Sequence, residues 1–93
     1  MSKITFPEVW DKIVSNEGNI FHTKKGIEFK YTIKNNTFNP SRTEWNISKT
    51  DFEKAFNRLP LNGPGDINKL VQGPAYIWAV LNDNRIITQG IET

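Results

Sequence analysis

Between residues 27 and 34 the chain alternates strictly. Ile27, Phe29, Tyr31 and Ile33 are apolar, and Glu28, Lys30, Thr32 and Lys34 between them are polar. Successive side chains of a strand point to opposite faces, so a period of two requires an extended segment with one face in a core and the other in water. A helix would scatter those apolar residues around its circumference. This run therefore commits the chain to a half-buried antiparallel sheet. The neighbouring residues supply strand partners. Ile20–Thr23 precedes the run, and Lys24-Lys25-Gly26 makes a short turn with Gly26 at the positive-φ position. Asn35-Asn36 is a second turn, because Asn tolerates the left-handed region. Thr37–Asn39 starts a third strand, Pro40 interrupts it, and Thr43, Trp45 and Ile47 resume the alternation, so a bulge or loop is expected over Pro40–Arg42.

Helical signals flank this sheet. Over residues 7–17, Val9, Trp10, Ile13 and Val14 form one apolar stripe. Thr5 caps it, Pro7 and Glu8 stand in the first turn, and Gly18 is the stop. Ser48 caps a second helix, expected over 48–59. Asp51 sits near its positive end, and Ile47 and Phe52 are spaced as a hydrophobic staple. Phe52, Ala55, Phe56 and Leu59 line its buried face, and Pro60 ends it. The tight turn Pro60–Asp66 leads into a short helix over 66–72, and Gly73-Pro74 opens a largely apolar helix over 74–82. Arg85-Ile86-Ile87 is expected as a last edge strand. The expected core includes Trp10, Phe29, Tyr31, Phe52, Phe56, Ile77 and Leu81. The fold class is α+β. It is read as a single domain over 1–93, with an antiparallel three- to four-stranded sheet (a β-meander) packed against three to four helices.

Bulk properties narrow the function. A chain of 93 residues has room for one modest core, filled here by eleven aromatics and eleven isoleucines. Without cysteine there are no disulfides, thiolate metal sites or cysteine nucleophiles. The longest apolar run, Ala75–Leu81, is far short of the roughly 20 residues of a membrane span. Met1–Pro7 has no apolar secretion signal. The expectation is a cytoplasmic protein with no membrane association. His22 is the single histidine, and no metal-binding spacing or nucleophile marker accompanies it. No enzyme activity, metal or cofactor is expected.

Charge is the remaining signal. Residues 24–49 carry six Lys/Arg and two acids, a local balance of +4, while the rest of the chain carries −2. Lysines on a turn and on the outer face of a strand have a plain explanation: they solvate an edge and block unwanted pairing. The same side chains could also neutralise phosphates. Pro40-Ser41-Arg42-Thr43 sharpens that second reading, since a loop arginine can grip a phosphate or carboxylate through two parallel hydrogen bonds, with hydroxyl donors alongside. Its competitor is an ion pair of Arg42 with Glu44 or Glu28. Gly63-Pro64-Gly65 lacks the flanking residues of a phosphate loop. The helix pair around Gly73-Pro74 is too apolar to read a DNA groove. The three tryptophans lie on apolar stripes and read as core, while Tyr76 and Trp78 could line a self-association surface.

Three segments carry a resemblance. They are F-x-T-x-x-G-x-x-F-x-Y (Phe21–Tyr31), P-S-R-T-x-x-x-I-S-x-x-D-F-E-K-A (Pro40–Ala55) and G-P-x-Y-I-W-A-x-L-x-D-x-R-I (Gly73–Ile86). Together they resemble small proteins of bacteria and phages. The resemblance implies a shared fold over most of the chain and carries no activity or site residue with it.

The expected function is a small non-catalytic binding module that engages an anionic partner, nucleic acid first, through Lys24, Lys25, Lys30, Lys34, Ser41, Arg42 and Lys49. The alternative is a protein-binding adaptor or inhibitor, as in phage–host conflict. A third reading is a small-nucleotide site with Arg42 as anion clamp. Monomer and homodimer are both left open.

Overall fold

A computed structural model describes residues 4–44 and 46–87. The expectation for Trp45 lies outside the described residues. The architecture is α+β. Three helices, α1 (Phe6–Ser15), α2 (Lys49–Phe56) and α3 (Pro74–Leu81), accompany five short strands. These are β1 (Phe21–His22), β2 (Glu28–Phe29), β3 (Tyr31–Lys34), β4 (Thr37–Pro40) and β5 (Ile47–Ser48).

The strands form two antiparallel sheets: the expected three-stranded meander, β3-β4-β5, and a separate pair, β1-β2. The division falls at Lys30, inside the alternating run. Phe21 pairs with Phe29 on one side of it and Tyr31 with Pro40 on the other. Ser41 N–H donates to the Lys30 carbonyl at 2.8 Å, which extends the β3–β4 ladder by one bond. The return bond is different: Lys30 N–H donates to the Ser41 side-chain Oγ at 3.0 Å. Beyond Ser41 the chain turns away, with Thr43 N–H reaching back to the Pro40 carbonyl. A side chain thus replaces a main-chain acceptor, and the ladder stops where the sequence reading placed a loop.

Both turns follow from residue type. Gly26 has φ +87° and closes the β1–β2 turn, while Asn35 and Asn36, at φ 53° and 60°, make the two-residue β3–β4 hairpin. The first helix begins as expected, with Thr5 N–H donating to the Glu8 carboxylate at 3.0 Å. Ser48 caps α2, its Oγ accepting from Asp51 N–H at 3.1 Å. Ile47 and Phe52, the expected staple, are both fully buried.

Two expected elements take another form. Residues 66–72 hold only a 3-10 turn over Pro64–Asp66 and a single turn from Ile67 to Val71. Asp66 does not cap a helix there, because its carboxylate accepts from Asn62 N–H at 2.8 Å. Residues 85–87 form a turn and not a strand: Ile86 and Ile87 N–H both donate to the Asp83 carbonyl at 3.0 Å. Arg85 holds that turn. Its guanidinium meets both Asp83 carboxylate oxygens and the Ile20 carbonyl at 2.8–2.9 Å and lies 4.0 Å from the Phe21 ring centre.

The core is knitted by a continuous row of aromatic rings. From α1 it runs Phe6, Trp10, Phe52, Phe38, Tyr31, Phe21, Phe29, Tyr76, with neighbouring centroids 4.4–6.2 Å apart. Tyr31 is buried, and its hydroxyl donates to the Ile13 carbonyl at 2.5 Å. Burial pushes its phenol well above its ordinary value, since the charged form would be desolvated. Of the expected core, Trp10, Phe29, Tyr31, Phe52, Ile77 and Leu81 are buried and Phe56 is partly so. Ile27 departs from the alternation. It precedes β2 and is 43% exposed.

Candidate functional site

The β1–β2 turn, the Pro40–Thr43 loop, the 3-10 turn and the start of α3 meet around one cavity of about 420 Å³. Its lining is Thr23, Lys24, Lys25, Ile27, Arg42, Pro64, Ala75 and Tyr76. Ile27, Pro64, Ala75 and Tyr76 make apolar walls, and three cations stand among them. Among the described residues no carboxylate belongs to this lining.

Each cation is placed by a different device. Lys24 is held: its Nζ donates to the Asn62 carbonyl at 2.8 Å and lies 5.7 Å from the Trp78 ring centre. Lys25 follows it at the tip of the turn and is exposed. Arg42 comes from the loop that Pro40 and Ser41 create at the end of β4. The ion pairs that would have explained Arg42 do not form. Among the described residues Asp83 and Arg85 form a salt bridge at 2.8 Å, and the Glu28 carboxylate lies 3.6 Å from His22 Nε2, an ion pair only when His22 is protonated. Glu28 therefore faces His22 across the β1–β2 pair, and Arg42 stands at the cavity wall without a carboxylate partner among the described residues.

Lys30 and Ser41 line another, smaller cavity of about 320 Å³ with Ile20, Glu28 and Phe29. Ser41 is partly committed to the fold, its Oγ accepting from Lys30 N–H, and its own proton is left to donate. Lys34 and Lys49 lie elsewhere. Lys34 pairs with Thr37, Thr37 pairs with Ser48, and Lys49 N–H donates to the Asn36 carbonyl, so both belong to the hairpin end of the sheet. At roughly 3.3 Å per residue, Lys34 is about 13 Å along the strand from Lys30. Lys49 Nζ also lies 5.7 Å from the Trp10 ring centre. The seven candidate residues thus divide: Lys24, Lys25 and Arg42 together, Lys30 and Ser41 beside a neighbouring cavity, Lys34 and Lys49 at the far end.

The sequence reading missed the walls. The alternation places Ile27 on the core face, and the apolar pattern of residues 74–82 places Tyr76 on a core helix, with a self-association surface as its alternative. The available signal was positional: Ile27 directly follows the positive-φ Gly26, too early to be covered by the strand. Tyr76 is fixed by tertiary contacts. Its ring stands edge-on to Phe29 at 4.9 Å, and Gly73, at φ +66°, brings the start of α3 close to Ile47. Among the described residues no group of three His, Asp or Glu side chains could hold a metal ion. None of the described helices is long and apolar enough to cross a membrane. No family model, curated protein or solved structure matches this chain.

Proposed function

We propose that this chain is a small non-catalytic module that binds nucleic acid, with the cavity edged by Lys24, Lys25 and Arg42 as its centre. The observation that carries this reading is the charge environment of the cavity: among the described residues, three cations and no carboxylate line it, and Arg42 is in no ion pair. A guanidinium left free beside apolar walls suits a phosphate, which accepts two parallel hydrogen bonds from it. Contacts to phosphate carry no base information, so sequence preference is weak. The cavity's size favours a second reading, a free nucleotide with Arg42 as anion clamp, because about 300–1,000 Å³ is usual for small-ligand sites.

Fluorescence anisotropy with a labelled single strand at several salt concentrations tests the proposal. Three neutralised phosphates give a log–log salt slope of about −2 for a single strand. Lys25→Glu with Arg42→Glu abolishes binding while the thermal melt is retained, since both side chains are exposed. Absence of binding at low salt refutes the nucleic-acid reading.

A further inference from the structure

The cavity's cations account for attraction to any polyanion, but they do not account for its walls. Ile27 is 43% exposed, an unusual place for a branched aliphatic side chain beside three cations. Pro64, Ala75 and Tyr76 are half-buried and close the same cavity. Tyr76 is the last ring of the aromatic row. Phe29 holds it edge-on, with 77° between the ring planes, so its orientation is set by the core. Its hydroxyl has no hydrogen-bond partner among the described residues. Lys24 is likewise preset, by the Asn62 carbonyl at 2.8 Å. A ligand meeting such a site has fewer side chains to immobilise.

A flat group with apolar faces, joined closely to an anion, fits these features. A nucleobase with its phosphate has that chemistry. In a duplex the base faces are stacked and its edge is paired, so the walls would stay empty. We infer that the cavity seats one unpaired nucleotide of a single strand, its base against Tyr76 and Ile27 and its phosphate at Arg42 and Lys24. This rests on the nucleic-acid reading above and adds selectivity for single strands.

The experiment compares a labelled oligothymidine single strand, a duplex of equal length and a competing thymidine monophosphate, on the wild type and on Tyr76→Leu and Ile27→Ser. Expected is a loss of roughly tenfold in single-strand affinity for Tyr76→Leu, in line with the removal of one stacking partner. A smaller loss is expected for Ile27→Ser, and duplex affinity changes less than about twofold in either variant. If Tyr76→Leu melts early, the partly exposed Ile27→Ser carries the test alone. Variants that bind single strand and duplex as the wild type does overturn the seated nucleotide and leave the charge reading standing. Failure of the wild type to bind either form overturns both. A monophosphate that binds as tightly as the oligonucleotide overturns the strand as the source of the ligand.

Discussion

Asp83 and Arg85 show how one pair of side chains fixes a segment that its own pattern would have made a strand. The Arg85 side-chain hydrogen bonds come first among the causes that hold the Asp83 carboxyl below its ordinary value of 3.8. A carboxylate with a depressed folded value adds stability that is complete above the unfolded value and is lost as pH falls through the folded one. Asp83→Asn should therefore lower the urea midpoint at pH 6, and the gap to wild type should close as the pH drops below about 3.8. A gap independent of pH would assign the effect to something other than the ion pair. A second residue-scale prediction concerns Gly63. Its φ is −177°, which any residue adopts, and the nearest atoms an added Cβ would meet all belong to the flexible Lys24 side chain, Nζ first at 3.0 Å. Gly63→Ala should leave the melt near wild type yet dislodge the Lys24 ammonium from Asn62. Single-strand affinity should then fall several-fold, by anisotropy.

Among the elements, the alternating run is the piece on which fold and site both depend. Phe29 is 2% exposed and lies 6.1 Å from Phe21 and 4.9 Å from Tyr76, ring centre to ring centre. Phe29→Ala should cost about 3–5 kcal/mol by the combined loss of transfer energy and a residual cavity. It should also weaken single-strand binding at temperatures where the variant is still folded, because the support of Tyr76 is gone. A melt equal to wild type would contradict the packing described here. The run also marks the reach of sequence reasoning. Its periodicity announced which faces of residues 28–34 are buried. It could not announce the break at Lys30, because that break depends on Ser41 offering Oγ across the ladder, eleven residues away in sequence. Caps and hairpin turns were legible at Thr5, Gly26, Asn35-Asn36 and Ser48, since each is a local solution to unsatisfied amides or positive φ. The segments over 66–72 and 85–87 depart from the regular pattern. Asp66, Ile67, Leu70 and Val71 N–H close separate tight turns on the Gly63, Pro64 and Ile67 carbonyls, Gln72 N–H donates to the Asp51 carboxylate, and the amides of 85–87 all donate to Asp83.

Over the whole molecule, the fold takes a basic segment that is continuous in sequence and separates it in space. Lys24, Lys25 and Arg42 meet at one cavity, and Lys34 and Lys49 sit at the opposite end of the β3–β4 hairpin. A mutational comparison follows. Lys34→Glu with Lys49→Glu should leave most of the single-strand affinity and reduce the salt slope by less than about one, while Lys25→Glu with Arg42→Glu removes binding altogether. Equal losses from the two pairs would mean a diffuse cationic surface in place of a centred site.

Residue spacing by itself determined the α+β class, the two hairpin turns, the starts of the three helices and most of the buried aromatics, because period, capping and positive φ are properties of a few neighbouring residues. It also located the excess of cations. The tertiary structure alone decided which cations share a cavity, that Arg42 pairs with no carboxylate among the described residues, and that Tyr76 and Ile27 wall the site. Those facts turn on Glu28 facing His22 across a strand pair, on Gly73 letting α3 approach Ile47, and on Phe29 orienting Tyr76. The last two join residues far apart in the chain, and no local pattern encodes such meetings.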